Sequence, residues 1–356
     1  MILLVYVHGY NLKDTYLQAW TMVDEPMTFT AFFEYLMANG LLRFRVPMLF
    51  FISGYLYALN DYKPYRVRTL KRLRTLGLPY LLWSFIALLL TFLLEYIPLF
   101  RDAIYASYLA MIDNDRHLVL QYAWYEWLIR IFLVPIPFQL WFIRVLLIYN
   151  IAYPPLRWCV MKLPAIWFLI AGLLWFVSFY VFFIEGAGLF FFTLGIWVQK
   201  RRFDIEKTPS YLSPAYLLII FIGASFLKTY LAFQGYGFLG GFNTSLMNGL
   251  YKLTEISGLL GIWYGADSLV KVCMQRHWFT ACIPFSFIIY ALHVPILYYV
   301  MHLSTHLLSP HWQYHRLITF LFVPLLIIGV SILFGAILRK SSPKVYGILT
   351  GGRGLE

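Results

Sequence analysis

Two groups of residues in this sequence have the types and spacing to do chemistry. The first is His8, inside the apolar stretch VYVHGYN. A neutral imidazole can take a proton from a hydroxyl near neutral pH. Alone, such a histidine is more often a satisfied core residue. It gains value where a substrate cavity meets it, and nearby arginines would hold it neutral. The second is the run KPYRVRTLKRLR at 63–74, with six basic residues against the single acid Asp61. If the run is helical, Arg68, Lys71, Arg72 and Arg74 fall at three- and four-residue offsets and form one basic face. Planar guanidinium forks on such a face grip phosphate oxygens. The alternatives are a topology anchor or a patch for anionic lipid.

Further charges stand inside apolar segments, where each costs at least about 2.5–3.5 kcal/mol to insert. They are Arg43 and Arg45, Arg144, Lys228, and Lys252 with Glu255. Lys252 and Glu255 are three residues apart and can neutralise each other. Arg43, Pro47, Phe50, Ser53, Gly54 and Tyr57 recur at helical spacing, a polar stripe suited to lining a cavity. Arg43 could equally snorkel to the outer headgroups. The pairs His302/His306 and His311/His315 have a spacing that can hold zinc on a helix. With no acidic partner near them, they read as interfacial histidines, and no metal is expected.

The elements that position these residues follow from composition. Of 356 residues, 61% are hydrophobic and 12% charged, and the mean hydropathy is +0.71. Soluble domains carry roughly 25% charged residues, so a water-soluble globule is excluded. Disorder is excluded as well, because disordered chains are poor in aromatic and branched residues. An all-α, polytopic bundle in a membrane remains. Apolar segments at 1–12, 31–59, 79–97, 138–153, 164–184, 187–200, 213–233, 246–270, 281–302 and 317–338 predict about ten helices. The first is too short to cross alone, being either half a helix or the end of one that starts upstream. One alternate set of loops holds 18 Lys and Arg and the other holds 5. That bias puts the first set, with both termini, in the cytoplasm. It also explains the net charge of +12 without nucleic acid. The outer segment 98–137 holds Asp102, Asp113, Asp115 and Glu126 among aromatics, with Trp124, Tyr125 and Trp127 suited to an interface. Three cysteines, Cys159, Cys273 and Cys282, argue against a disulfide framework. The organisation predicted is one transmembrane domain, 1–340, and a short cytoplasmic tail, 341–356.

Several segments carry a family pattern: RFRVPMLFFISGY (43–55), LKRLRTLGLPYLLW (70–83), QLWFIR (139–144), FTLGIWVQK (192–200) and SFIIYALHVPI (286–296). In this order, over nearly the whole chain, they resemble the acyltransferase-3 family of integral membrane acyltransferases. The resemblance implies transfer of an acyl group, usually acetyl, from cytoplasmic acyl-CoA to a hydroxyl of a glycan or lipid-linked sugar at the outer face. It implies no bound cofactor, since acyl-CoA is a substrate, and a bacterial plasma membrane as the setting. Acyl-CoA, the sugar acceptor and membrane lipid are then the partners.

In that family the first helix carries an Arg followed eleven residues later by an essential His. His8 matches the His, and the Arg would fall before Met1. The family's pair of arginines three apart in the basic loop is met by Lys71 and Arg74, with Arg68 and Arg72 close by. His8 is then the catalytic residue, and Arg68, Lys71, Arg72 and Arg74 bind acyl-CoA. Arg43, Ser53, Tyr55 and Arg144 are candidates by position for the cavity and oxyanion. A transporter or flippase without acyl chemistry is the alternative, opposed by the lack of repeated halves and of matching broken helices. A scaffold for a glycan-assembly complex is a third reading.

Overall fold

A computed structural model describes residues 1–13, 16–112, 117–181, 183–235, 240–307 and 314–355, apart from the side chains at 305 and 306. Asp113, Asp115, Arg116 and His311 lie outside the described residues, as does the side chain of His306.

The chain is helical almost throughout. In order come α1 (Ile2–His8), α2 (Phe29–Tyr35), α3 (Arg45–Leu59), α4 (Tyr65–Arg72), α5 (Leu78–Leu94), α6 (Pro98–Ser107) and α7 (Trp124–Phe132). Next are α8 (Trp141–Ile151), α9 (Tyr153–Lys162), α10 (Pro164–Phe176), α11 (Gly186–Lys200), α12 (Pro214–Gln234) and α13 (Phe242–Gly265). The last are α14 (Asp267–Met274), α15 (His277–Cys282), α16 (Ser286–Leu307), α17 (His315–Ser341) and α18 (Pro343–Thr350). The two-residue strands β1 (Tyr180–Val181) and β2 (Ile184–Glu185) form one antiparallel hairpin. Among the described residues five spans are long and apolar enough to cross a membrane: Phe29–Leu59, Tyr65–Leu94, Pro214–Gln234, His277–Ser304 and His315–Ser341. The pair α9 and α10, bent by 119°, would make a sixth. This is an all-α integral membrane protein.

Two predicted helices are reshaped, and the basic run between two others is itself helical. The segment 31–59 is interrupted by a π-helical turn, Leu36–Leu41, so Arg43 sits in the turn before α3. The Asn39 carbonyl accepts from Lys228 Nζ at 2.7 Å and its amide donates to Gln18 O at 2.9 Å. Side-chain partners of this kind sustain a break in the backbone ladder. The segment 164–184 stops at Phe176, where Asn248 Nδ2 takes up the Phe176 carbonyl at 3.0 Å and Ser178 turns to φ 54°. The basic run is no loop, because α4 and a following π-helical turn, Leu73–Gly77, lead directly into α5.

The chain forms two compact units from discontinuous segments. The first contains Met1–Asn11, Leu73–Arg144 and His277–Glu356. Here α1 packs on α16 and α17 through Val5, Ile289, Leu297 and Ile327. Pro295 cannot donate to the ladder of α16, and Val294 leaves helical geometry at φ −104°, ψ 133°. Gln139 Nε2 takes up the freed carbonyls of Tyr290 at 3.2 Å and Ala291 at 3.4 Å, while Tyr290 Oη donates back to Gln139 O at 2.6 Å. The fully buried Glu95 ends α5 by accepting the amides of Val119 and Leu120, both at 2.8 Å. Residues after Ser341 are docked: Trp83 Nε1 donates to Leu349 O at 3.0 Å and Arg353 to Thr75 O at 3.0 Å.

The second unit contains Leu12–Arg72 and Val145–Arg276. Its tightest pairing is α3 on α11. A Cβ on Gly54 would collide with the Phe192 carbonyl, and one on Gly195 with Phe51 O and, at 2.8 Å, with Tyr55 N. The two backbones therefore touch, and the face carrying Pro47, Phe50, Gly54 and Tyr57 is packed. The predicted cavity stripe is thus largely a helix–helix contact.

Candidate functional site

His8 closes α1, half-buried. Its ring meets the edge of Phe138 at a centroid distance of 4.9 Å and 89°. On another side it stacks with His293 at 5.6 Å and 21°. His293 is fully buried in α16 and its Nδ1 lies 2.9 Å from Ile289 O. A carbonyl oxygen at that distance accepts a hydrogen bond from Nδ1–H. The motif segment 286–296 contained His293, but its apolar surroundings concealed a histidine partner. The available signal was a histidine beside a helix-breaking Val-Pro.

Within the second unit the basic run is sorted by burial. Arg68 enters a socket formed by the rings of Tyr57, 4.7 Å away, and Tyr153, 5.0 Å away. It pairs with Asp61 at 2.9 Å and donates to Tyr57 O at 3.2 Å. Arg72 lies 5.6 Å from the Tyr57 ring and is half-buried, whereas Lys71 is exposed. Arg74, assigned to the first unit, is also exposed. Asp61 collects two more cations, Lys200 at 2.6 Å and Arg157 at 3.3 Å. Neither was singled out in the sequence, where both stand near helix ends among other basic residues. Tyr65 Oη donates to Ile151 O at 2.6 Å and ties α4 to the end of α8.

Burial alone would push the Asp61 carboxyl up. Hydrogen bonds from Lys200 and Tyr153, with the charges of Lys200 and Arg157, outweigh it and hold the group below its usual range. A carboxylate lowered in this way contributes stability that is complete above the unfolded pKa, about 3.9 for Asp, and lost as pH falls through the native one. Wild-type protein should therefore lose thermal stability more steeply than Asp61→Asn as pH drops below roughly 4. Melting curves of both in nanodiscs across that interval test this, and parallel slopes would refute it.

The four oxyanion candidates fall in both units. Arg43, Ser53 and Tyr55 belong to the second unit, and Arg144 to the first. The Arg43 guanidinium donates to Leu17 O and that of Arg144 to Leu133 O. Ser53 and Tyr55 are half-buried on α3. The buried charges fare as the spacing predicts: Lys252 and Glu255 pair at 3.7 Å, and Trp175 Nε1 donates to Glu255 at 2.7 Å. Lys252 also donates to Ser178 Oγ at 2.8 Å.

A family pattern described as an acyltransferase domain matches residues 1–338. The chain belongs to the acyltransferase-3 family. The match runs from α1 into the last turns of α17, so it covers the whole second unit and the first up to residue 338. Membrane acyltransferase is thereby the protein's class. No curated protein and no solved structure matches the chain.

Proposed function

We propose that this acyltransferase moves an acetyl group from acyl-CoA on the cytoplasmic side to a hydroxyl of a glycan or lipid-linked sugar at the outer face of a bacterial plasma membrane. The supporting observation is His8, a half-buried imidazole held between Phe138 and a second imidazole, in a chain of this family. The proposed topology has ten crossings and cytoplasmic termini, on the strength of the 18-to-5 basic bias between alternate loops.

His8 removes the proton of the acceptor hydroxyl as its oxygen bonds to the thioester carbonyl carbon. The tetrahedral oxyanion then collapses and breaks the carbon–sulfur bond. Coenzyme A leaves as the thiolate and receives the proton from the imidazolium. In a two-step variant His8 itself carries the acyl group before the hydroxyl takes it. Arg144, in the same unit as His8, is the candidate oxyanion donor, such a donor being worth about 10²–10³ in turnover. Of the basic run, Arg72 serves the donor's phosphates, and Arg68, paired with Asp61, anchors the run.

The deciding experiment supplies radiolabelled acetyl-CoA and envelope glycans to purified protein in nanodiscs. Acceptor-dependent release of free coenzyme A, with label on the glycan, is the expected result. Passage of unmodified glycan through proteoliposomes with no consumption of acetyl-CoA would replace this reading with a transporter.

A further inference from the structure

Phosphate binding on the basic run, as read from spacing, treats its cations alike; the structure does not. Arg68 is already committed. Its side chain is 9% exposed, paired to Asp61 and held between two tyrosine rings. Lys71 and Arg74 are exposed, where a charge is well screened by water and salt. Between these extremes lies a cluster that draws on helices outside the run. Lys200, at the end of α11, and Arg157, on α9, both reach Asp61 Oδ2.

One carboxylate thus faces three cations, an excess of two positive charges. The Asp61, Arg68 and Lys200 side chains are 13%, 9% and 17% exposed, so water compensates that excess poorly, whereas Arg157 is 52% exposed and opens the cluster to solvent. Like charges gathered in a poorly hydrated place repel one another, and an anion with two charges would balance them. Arg72 stands on the same Tyr57 ring as Arg68 and adds a planar fork.

We propose that Arg157 and Lys200, with Arg72, form the binding site for a phosphate monoester, and that Asp61 and Arg68 are its fixed frame. Resting on the acyl-CoA reading above, the inference assigns this site to the phosphorylated nucleotide end of the donor. A phosphate monoester carries about two negative charges at neutral pH, matching the excess. A phospholipid headgroup offers related chemistry with a single phosphodiester charge, so the test separates the two sources. Asp61 holds the cations apart from one another before the ligand arrives and repels it mildly afterwards.

The test uses full-length protein in phosphatidylcholine nanodiscs and calorimetric titration with coenzyme A, adenosine 3′,5′-bisphosphate and pantetheine. Arg157→Gln and Lys200→Gln should each weaken coenzyme A and the bisphosphate roughly ten- to hundred-fold, the loss of one charge-assisted contact. Pantetheine binding should not change. Arg66→Gln, at an exposed position of the same run, should change affinity by less than about threefold. Asp61→Asn should tighten the bisphosphate. Wild-type affinity for the bisphosphate in Arg157→Gln, whose half-exposed site tolerates the change, would overturn the proposal. So would bisphosphate binding that vanishes in phosphatidylglycerol nanodiscs, because the cluster would then be a lipid site. The two readings fail separately. Weakened bisphosphate binding without any acyl transfer keeps the site and removes the donor chemistry. Acyl transfer with an unchanged donor KM in both variants keeps the chemistry and removes the site.

Discussion

Replacing His8 with alanine should lower acyl transfer roughly 10²–10⁴-fold, the span expected when a positioned general base is lost. Coenzyme A binding should stay near wild type, since the phosphates are assigned to other residues. The size of the effect follows from what the ring does at the end of α1. In the proposed mechanism it takes the hydroxyl proton, and the rings of Phe138 and His293 lie against it. Alanine removes both the base and the filled space, so the variant needs a control of similar volume. His8→Gln keeps a polar side chain of comparable size without a basic nitrogen at neutral pH, and should be equally inactive. Rates of coenzyme A release from labelled acetyl-CoA, with and without acceptor, provide the readout. Turnover within threefold of wild type in either variant would remove His8 from the chemistry.

The second large effect is on stability. Gly195→Val should lower the thermal midpoint in detergent sharply and weaken coenzyme A binding with it. A Cβ at this position would run into the Phe51 carbonyl and the Tyr55 amide. These are backbone atoms of the facing helix, which cannot rotate aside like the end of a flexible side chain. Overpacking of this kind typically costs about 1–3 kcal/mol, and a β-branched residue against a backbone contact belongs at or above the upper end. Binding suffers because of register. Lys200 lies five residues beyond Gly195 on α11, and Asp61 follows the end of α3. Pushing the helices apart withdraws the Lys200 ammonium from a 2.6 Å contact. Gly223→Val, at a glycine whose added Cβ meets nothing within 4 Å, is the matched control. If the two variants melt together, the close approach of α3 and α11 does not carry this unit.

Much of this molecule was legible before any coordinates. Long apolar segments with few charges identify membrane helices, because backbone groups in lipid must be satisfied within the helix. Segments such as 213–233 and 317–338 appear almost unshifted as α12 and α17. Lys252 and Glu255 pair as their spacing requires. The order of short motifs carried the family. Helix ends were less legible. The interruption near Leu36–Leu41 and the stop at Phe176 depend on Lys228, Gln18, Asn248 and Lys252, residues remote in sequence from the breaks they support.

By itself, then, the sequence determined the solvent this chain lives in, its helical class and its family. Each of those follows from local composition, spacing or short motifs. Only the tertiary structure decided which residues share a neighbourhood. It set His293 against His8, gathered Arg68, Arg157 and Lys200 on Asp61, and turned the stripe of α3 into a contact with α11. The physical reason is range. Hydropathy acts over one helix, whereas an ion pair or a stacked ring needs two chain segments within a few ångströms, and packing alone sets that distance.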